Sequence, residues 1–190
     1  MKKLALVLAL TMVAFAGTAS ASDWFADNIG IYFDEAGTNN CDNAPPLTPI
    51  PAYLVVTQLN SPDILAWEIA LLHDNVTQLS FVPRGNAIDV GINPGEHIVG
   101  LPAALPAPGG VCVIADMQLM VMNTNPAGIR ANGTFFHSLP IKVPAYLGSA
   151  TEIRELHPIS PAGQPIIVIN GDCVVGVEVD TFGGVKSLFR

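Results

Sequence analysis

The segment Val111–Met122 alternates with a period of two, and this pattern constrains the fold more than any other feature of the chain. Its odd positions (Val111, Val113, Ala115, Met117, Leu119, Val121) are all apolar, whereas its even positions (Cys112, Ile114, Asp116, Gln118, Met120, Met122) are mixed. Successive side chains of an extended strand point to opposite faces, so the odd set is expected to face a core. The even set then faces solvent or a second layer.

The same signature recurs. Ile29–Asp34 and Ala52–Thr57 read as strands on either side of a proline-rich turn that runs from Pro45-Pro46 to Pro51. In Leu65–Leu72 the residues Leu65, Trp67, Ile69 and Leu71 share a face, and Glu68 lies opposite with two alanines. Near the end, Cys173, Val175, Val177 and Val179 alternate with Val174, Gly176, Glu178 and Asp180. Turn signals separate these runs: Pro83-Arg84-Gly85-Asn86, Asn93-Pro94-Gly95, Pro108-Gly109-Gly110, Asn123-Thr124-Asn125-Pro126 and Ser160-Pro161-Ala162-Gly163. No window carries a long helical stripe. Short strands with regular turns predict an all-β fold, an antiparallel β-sandwich, in one domain over residues 22–180. Thr181 can cap a short C-terminal helix over 181–190, with Phe182, Val185 and Phe189 on one side, although Gly183 and Gly184 weaken it.

The first 21 residues have another character. Met1-Lys2-Lys3, an apolar run from Leu4 to Phe15 and the small-residue ending Ala19-Ser20-Ala21 form a secretory signal peptide. The apolar run falls short of the roughly 20 residues that a membrane-spanning helix needs. Cleavage after Ala21 leaves no second apolar stretch, so no membrane span is expected in the mature chain. Removing Lys2 and Lys3 from the 8 basic residues leaves 6 against 16 acidic ones, a charge of −10. Such a surface repels phosphate backbones and excludes nucleic acid as a partner.

Three cysteines remain after cleavage: Cys41, Cys112 and Cys173. In an oxidising compartment three allow one bridge. Cys41 lies in a polar loop and Cys173 follows the turn Asn170-Gly171-Asp172, so the expected bridge is Cys41–Cys173, worth about 4 kcal/mol for a loop of that length. Cys112 opens the longest strand and is expected to pack as a small apolar group.

Chemistry-bearing motifs are sparse. Asp34–Asn43 is rich in oxygen ligands, but its spacing departs from an EF-hand, so a loop satisfying its own turn hydrogen bonds is favoured over a calcium site. His73, His97, His137 and His157 lack metal-ligand spacing, and neither metal nor cofactor is expected. No nucleophile elbow, P-loop or dinucleotide fingerprint occurs, and no catalytic residue is assigned. Glu68, Asp89, Asp116 and Glu152 are the carboxylates from which a glycosidase-like pair would have to be drawn.

The runs Ala26–Asp34, Ala52–Thr57, Gly85–Gly91, His97–Leu101 and Ile169–Cys173, together with Cys41, resemble uncharacterised secreted bacterial proteins across most of the mature chain. The ending Phe182-Gly183-Gly184-Val185-Lys186-Ser187-Leu188-Phe189-Arg190 is similar to a W-G-x-I/V-K-x-L-Y-R tail on such proteins, with Phe182 and Phe189 where Trp and Tyr are common. The resemblance implies export and an immunoglobulin-like or cohesin-like sandwich, and it brings no activity. The expectation is therefore a secreted, periplasmic or cell-surface protein. Its role would be non-enzymatic binding to a surface protein or glycan, or building an envelope structure. The alternative is a secreted carbohydrate-active hydrolase using paired carboxylates.

Overall fold

The computed structural model describes residues 26–149 and 151–172, and every structural statement below concerns those residues. In chain order the strands are β1 (Asn28–Tyr32), β2 (Cys41–Asp42), β3 (Ile50–Thr57), β4 (Asp63–Asp74), β5 (Val76–Pro83), β6 (Ile88–Asp89), β7 (Glu96–Pro106), β8 (Cys112–Val121), β9 (Ala127–Asn132), β10 (Ala145–Leu147), β11 (Ile153–Glu155), β12 (His157–Pro158) and β13 (Ile167–Ile169). One 3-10 turn, Pro108–Gly110, joins β7 to β8. Four of the five turn signals fall between strands and the fifth starts on Pro83, the last residue of β5, as the proline and glycine pattern demands.

Two sheets make the sandwich. The first has the order β12-β1-β3-β8-β5. The second runs β11-β10-β4-β9-β13-β2, with β7 added to β4 and β6 added to β7. Ala66–Glu68 of β4 pair with both β7 and β10, and Ala70 pairs with both β7 and β9. β10 and β9 therefore lie end to end on one side of β4, with β7 on the other. The all-β sandwich expected from the alternation is present. Its sheets are mixed rather than purely antiparallel: β1 pairs in parallel with β12, and β2 with β13.

Burial follows the period of two until a bulge interrupts it. Ala115, Met117, Leu119 and Val121 enter the core as expected, but near the start of β8 the core takes Cys112 and Ile114 instead of Val111 and Val113. The register shift between Leu54 and Val55 of β3 inserts one extra residue at Ile114 and turns the strand over. β4 behaves alike: Trp67, Ile69 and Leu71 point inward, while a bulge brings Ile64 into the core in place of Leu65. The centre is made of fully buried aliphatics such as Ile29, Ile31, Leu54, Ile69, Leu119, Ile129 and Ile167. Each contributes about 1.5–3 kcal/mol by leaving water. The leader, Cys173 with the alternating run that it begins, and the 181–190 tail lie outside the described residues.

Candidate functional site

Inward-facing Trp67, Ile69, Val99 and Tyr146 oblige their neighbours Ala66, Glu68, Ile98, Gly100, Ala145 and Leu147 to face outward on the second sheet. The register aligns one outward residue from each of five adjacent strands: Ile88 of β6 opposite Gly100 of β7, Gly100 opposite Ala66 of β4, Ala66 opposite Leu147 of β10, and Leu147 opposite Ile153 of β11. At the usual strand spacing this wholly apolar row spans about 19 Å. Its two small residues sit in the middle and its large ones at the ends, which makes a groove. Space above Gly100 is open, with no atom within 4 Å of a Cβ placed there. The groove holds ≈ 680 Å³, and a neighbouring cavity of ≈ 180 Å³ shares Ala66, Ile98, Val99 and Leu147 with it.

The rim is unusually apolar for a water-facing edge. Ile88, Val90 and Ile92 are 68%, 59% and 73% exposed, and Ile153 at the far end is 44% exposed. Asp89 holds the short edge strand in place. Its carboxylate accepts hydrogen bonds from the backbone N–H of Gly91 at 3.0 Å and of Ile98 at 3.1 Å, and from His97 Nδ1 at 2.7 Å. His97 in turn stacks on Phe81 with ring centroids 3.7 Å apart. Beyond β6 the chain reverses at Asn93-Pro94-Gly95, where Gly95 has a φ of 75° and the Glu96 N–H donates to the Asn93 carbonyl at 3.0 Å.

A loop over residues 133–144 crosses the same face and is pinned by two carboxylates. Glu68 accepts from the Ser138 N–H at 2.7 Å and the Ser138 hydroxyl at 2.8 Å, and Glu96 accepts from the Phe135 N–H. This loop presents Phe135 and Phe136 edge-to-face, with centroids 4.8 Å apart, to solvent. From the inner side, Tyr146 anchors β10 by donating its hydroxyl to Asp27 at 2.9 Å. Burial first, and the Asp27 carboxylate second, push the Tyr146 phenol above its ordinary range.

The carboxylates singled out in the sequence each have separate partners. Glu68 binds Ser138, and Asp89 binds His97. Asp116 receives Arg84 Nε at 2.9 Å and Nη2 at 2.7 Å, while Glu35 pairs with the same guanidinium. The Asp116 hydrogen bond is the main cause that raises the Arg84 pKa further. Glu152 is 4.0 Å from Arg154. In the Asp34–Asn43 loop, the Asp34 carboxylate accepts from the Thr38 and Asn39 N–H groups, at 3.1 and 2.6 Å, and from the Thr38 hydroxyl at 3.0 Å. Burial pushes its pKa up, but these bonds outweigh it and hold the group below the usual carboxylate range. Among the described residues no three His, Cys, Asp or Glu side chains gather to hold a metal ion, and no helix is long and apolar enough to cross a membrane. Cys112 is a buried free thiol, pushed up to about 11 by burial. Cys41 heads β2 beside Val168 of β13, five residues before Cys173 in the sequence.

Sequence reasoning missed the apolar row. Its only local trace is Ile88-x-Val90-x-Ile92, an alternating apolar run broken by Asp89, Gly91 and Asn93.

No family model and no curated protein matches the chain. Solved structures do share its fold. A type II cohesin domain from the cellulosome of Acetivibrio cellulolyticus superposes with a TM-score of 0.52 at 15% identity, covering 76% of this chain and 95% of that one. The sixth cohesin of scaffoldin B from the same organism, solved in complex with a Cel5 dockerin, gives 0.50 at 10% identity, covering 77% and 99%. The cohesin-like sandwich is therefore the fold.

Proposed function

We propose that this chain is an exported, non-enzymatic binding module that docks a protein partner on the outer face of its second sheet. The observation that carries the reading is the five-strand apolar row with its small-residue floor. Burying such a groove against a complementary surface releases water from both sides, whereas leaving it exposed serves no folding purpose. Rigid strands hold its geometry, and the exposed Phe135–Phe136 pair beside it has the aromatic character of an interface anchor. One cohesin of the same fold is seen in complex with a dockerin, which supports a protein as the class of partner. The separate engagement of Glu68, Asp89 and Asp116 argues against the hydrolase alternative, which needs two carboxylates facing one substrate.

Export rests on the 1–21 leader, which would deliver a module of residues 22–180 with the 181–190 tail to the periplasm or cell surface. The test is a comparative pull-down of the mature chain against its own envelope extract. Gly100→Arg fills the groove floor, where a Cβ meets nothing within 4 Å, so the variant folds. Leu79→Arg places the same charge on the edge strand of the other sheet as a control. A partner retained by wild type and Leu79→Arg but lost by Gly100→Arg supports the reading. A partner retained by all three removes it.

A further inference from the structure

Glu68 is 5% exposed, yet among the described residues its carboxylate meets no cation. Among the described residues its oxygens accept only from Ser138, and no ion pair there includes it. A buried charge normally keeps a charged partner or a full set of donors, because removing it from water is expensive. A carboxylate offers about four acceptor positions, and Ser138 fills two of them. Glu68 lines a cavity of ≈ 180 Å³ whose walls also include Ile98, Ala145, Leu147 and Ile153. Small-molecule sites run from about 300 to 1,000 Å³, so this cavity is sized for one side chain.

Apolar walls leading to a single buried anion match the build of lysine and arginine, an aliphatic stem ending in a cation. Two further carboxylates lie nearby: Glu155 opposite Ala145, and Glu152 before Ile153, the latter carboxylate 4.0 Å from Arg154. The net charge of −8 draws a basic surface toward the molecule as a whole.

We propose that the Glu68 cavity receives one lysine or arginine side chain of the partner protein, its stem against Ile98, Leu147 and Ile153 and its charged head on the open acceptor positions of Glu68. This deepens the reading of the outer face as a docking face and rests on it. The partner would then carry a basic residue flanked by apolar ones, the apolar neighbours entering the Gly100–Ala66 groove while the cation sets the register. A neutral residue in the basic position would leave Glu68 buried and uncompensated, so the cavity selects for charge.

The chain can be tested without knowing the partner. The isotopically labelled protein is titrated with n-butylammonium, n-butylguanidinium and neutral n-pentanol, and the amide signals of Ser138, Leu147 and Ile153 are followed. At least one cation is expected to saturate these shifts about tenfold more tightly than pentanol. The better of the two cations tells lysine from arginine. Glu68→Gln keeps an acceptor for the Ser138 N–H but lacks the charge, and it should bring the cation down to the affinity of pentanol. Ile153→Lys supplies an ammonium within the chain and should abolish cation binding without lowering the melting temperature; it carries the test alone if Glu68→Gln fails to fold. Equal affinity for pentanol and the cations overturns the assignment. So does unchanged cation binding in the variants, or the absence of saturable shifts up to probe solubility. Each of these leaves the Gly100→Arg experiment, and with it the docking face, standing or falling separately.

Discussion

Asp27 is 4% exposed and lies immediately before β1, where it joins the two sheets. Its Oδ1 accepts from the Asn60 N–H at 2.7 Å and the Tyr146 hydroxyl at 2.9 Å, and its Oδ2 from Arg154 Nε at 3.2 Å. Its φ of 57° lies in the left-handed region, which Asp and Asn tolerate and Ala does not. Asp27→Ala therefore orphans a buried N–H and a buried hydroxyl at about 1–3 kcal/mol each. Backbone strain adds about 1 kcal/mol. The Arg154 pair adds less than about 1 kcal/mol, since that side chain is 40% exposed and screened. Mid-range values sum to about 5–6 kcal/mol of lost stability. Asp27→Asn keeps the φ preference and one oxygen for Asn60 and Tyr146, losing only the charge toward Arg154, so it should cost about 1 kcal/mol. Urea unfolding with a fixed m value measures both. A second readout is spectroscopic: with the carboxylate gone, the Tyr146 phenol should ionise at lower pH in Asp27→Asn than in wild type, although burial still holds it above its ordinary value. Equal costs for the two variants, or a cost below about 1.5 kcal/mol for Asp27→Ala, would refute the idea that hydrogen bonding at this carboxylate clasps the sandwich.

Other consequences follow from single sites. A Cβ on Gly128 would lie 2.8 Å from both the Ile167 carbonyl oxygen and the Pro165 Cβ, so Gly128→Ala should cost about 1–3 kcal/mol through overpacking. Gly100→Ala, by contrast, should leave the denaturant midpoint unchanged. The Cys112 thiol, pushed up to about 11, should resist maleimide at pH 8 until the protein unfolds. Because the folded state keeps that proton while the unfolded thiol loses it near pH 8.5, stability should fall as pH rises from about 8.5 toward 11, and Cys112→Val should flatten that limb. Asp34 has the opposite sign: its folded pKa is depressed, so its contribution is present above about pH 4 and is lost as pH falls through the folded value. Asp34→Asn should melt below wild type at neutral pH, and the two curves should converge in strong acid. We also propose the Cys41–Cys173 bridge, since Asn170, three residues before Cys173, donates its N–H to the Asp42 carbonyl at 3.0 Å. Peptide mapping without reduction should recover these two cysteines joined and Cys112 alone.

The sandwich was legible because a strand's burial repeats every two residues, and each turn announces itself by proline or glycine. Where the period slipped, the expectation slipped with it. Val111 and Val113 look identical to Val121 in hydropathy, and only the extra residue at Ile114 turns them away from the core. Glu68 was placed on the outward face of β4, as the structure has it, but nothing local foretold that residues 133–144 would fold across and bury it. The parallel strands β12 and β2 were illegible for a similar reason: each is two residues long and owes its extended state to a distant partner.

The proposed docking face belongs to the same class of hidden feature. Ile88, Gly100, Ala66, Leu147 and Ile153 are spread over 88 positions of sequence, since Ala66 stands first and Ile153 last with 87 steps between them, and no two lie on one strand. Their alignment exists only in the register of four pairings. A slip of one residue in β7 would put Val99 outside and Gly100 inside, filling the groove floor and emptying part of the core at once. Packing on the inner face, through Val99, Trp67 and Tyr146, thus dictates the geometry of the outer face. Stability and the proposed recognition would then be selected together, because the residues that bury the core are the ones that set which small side chains line the outer groove.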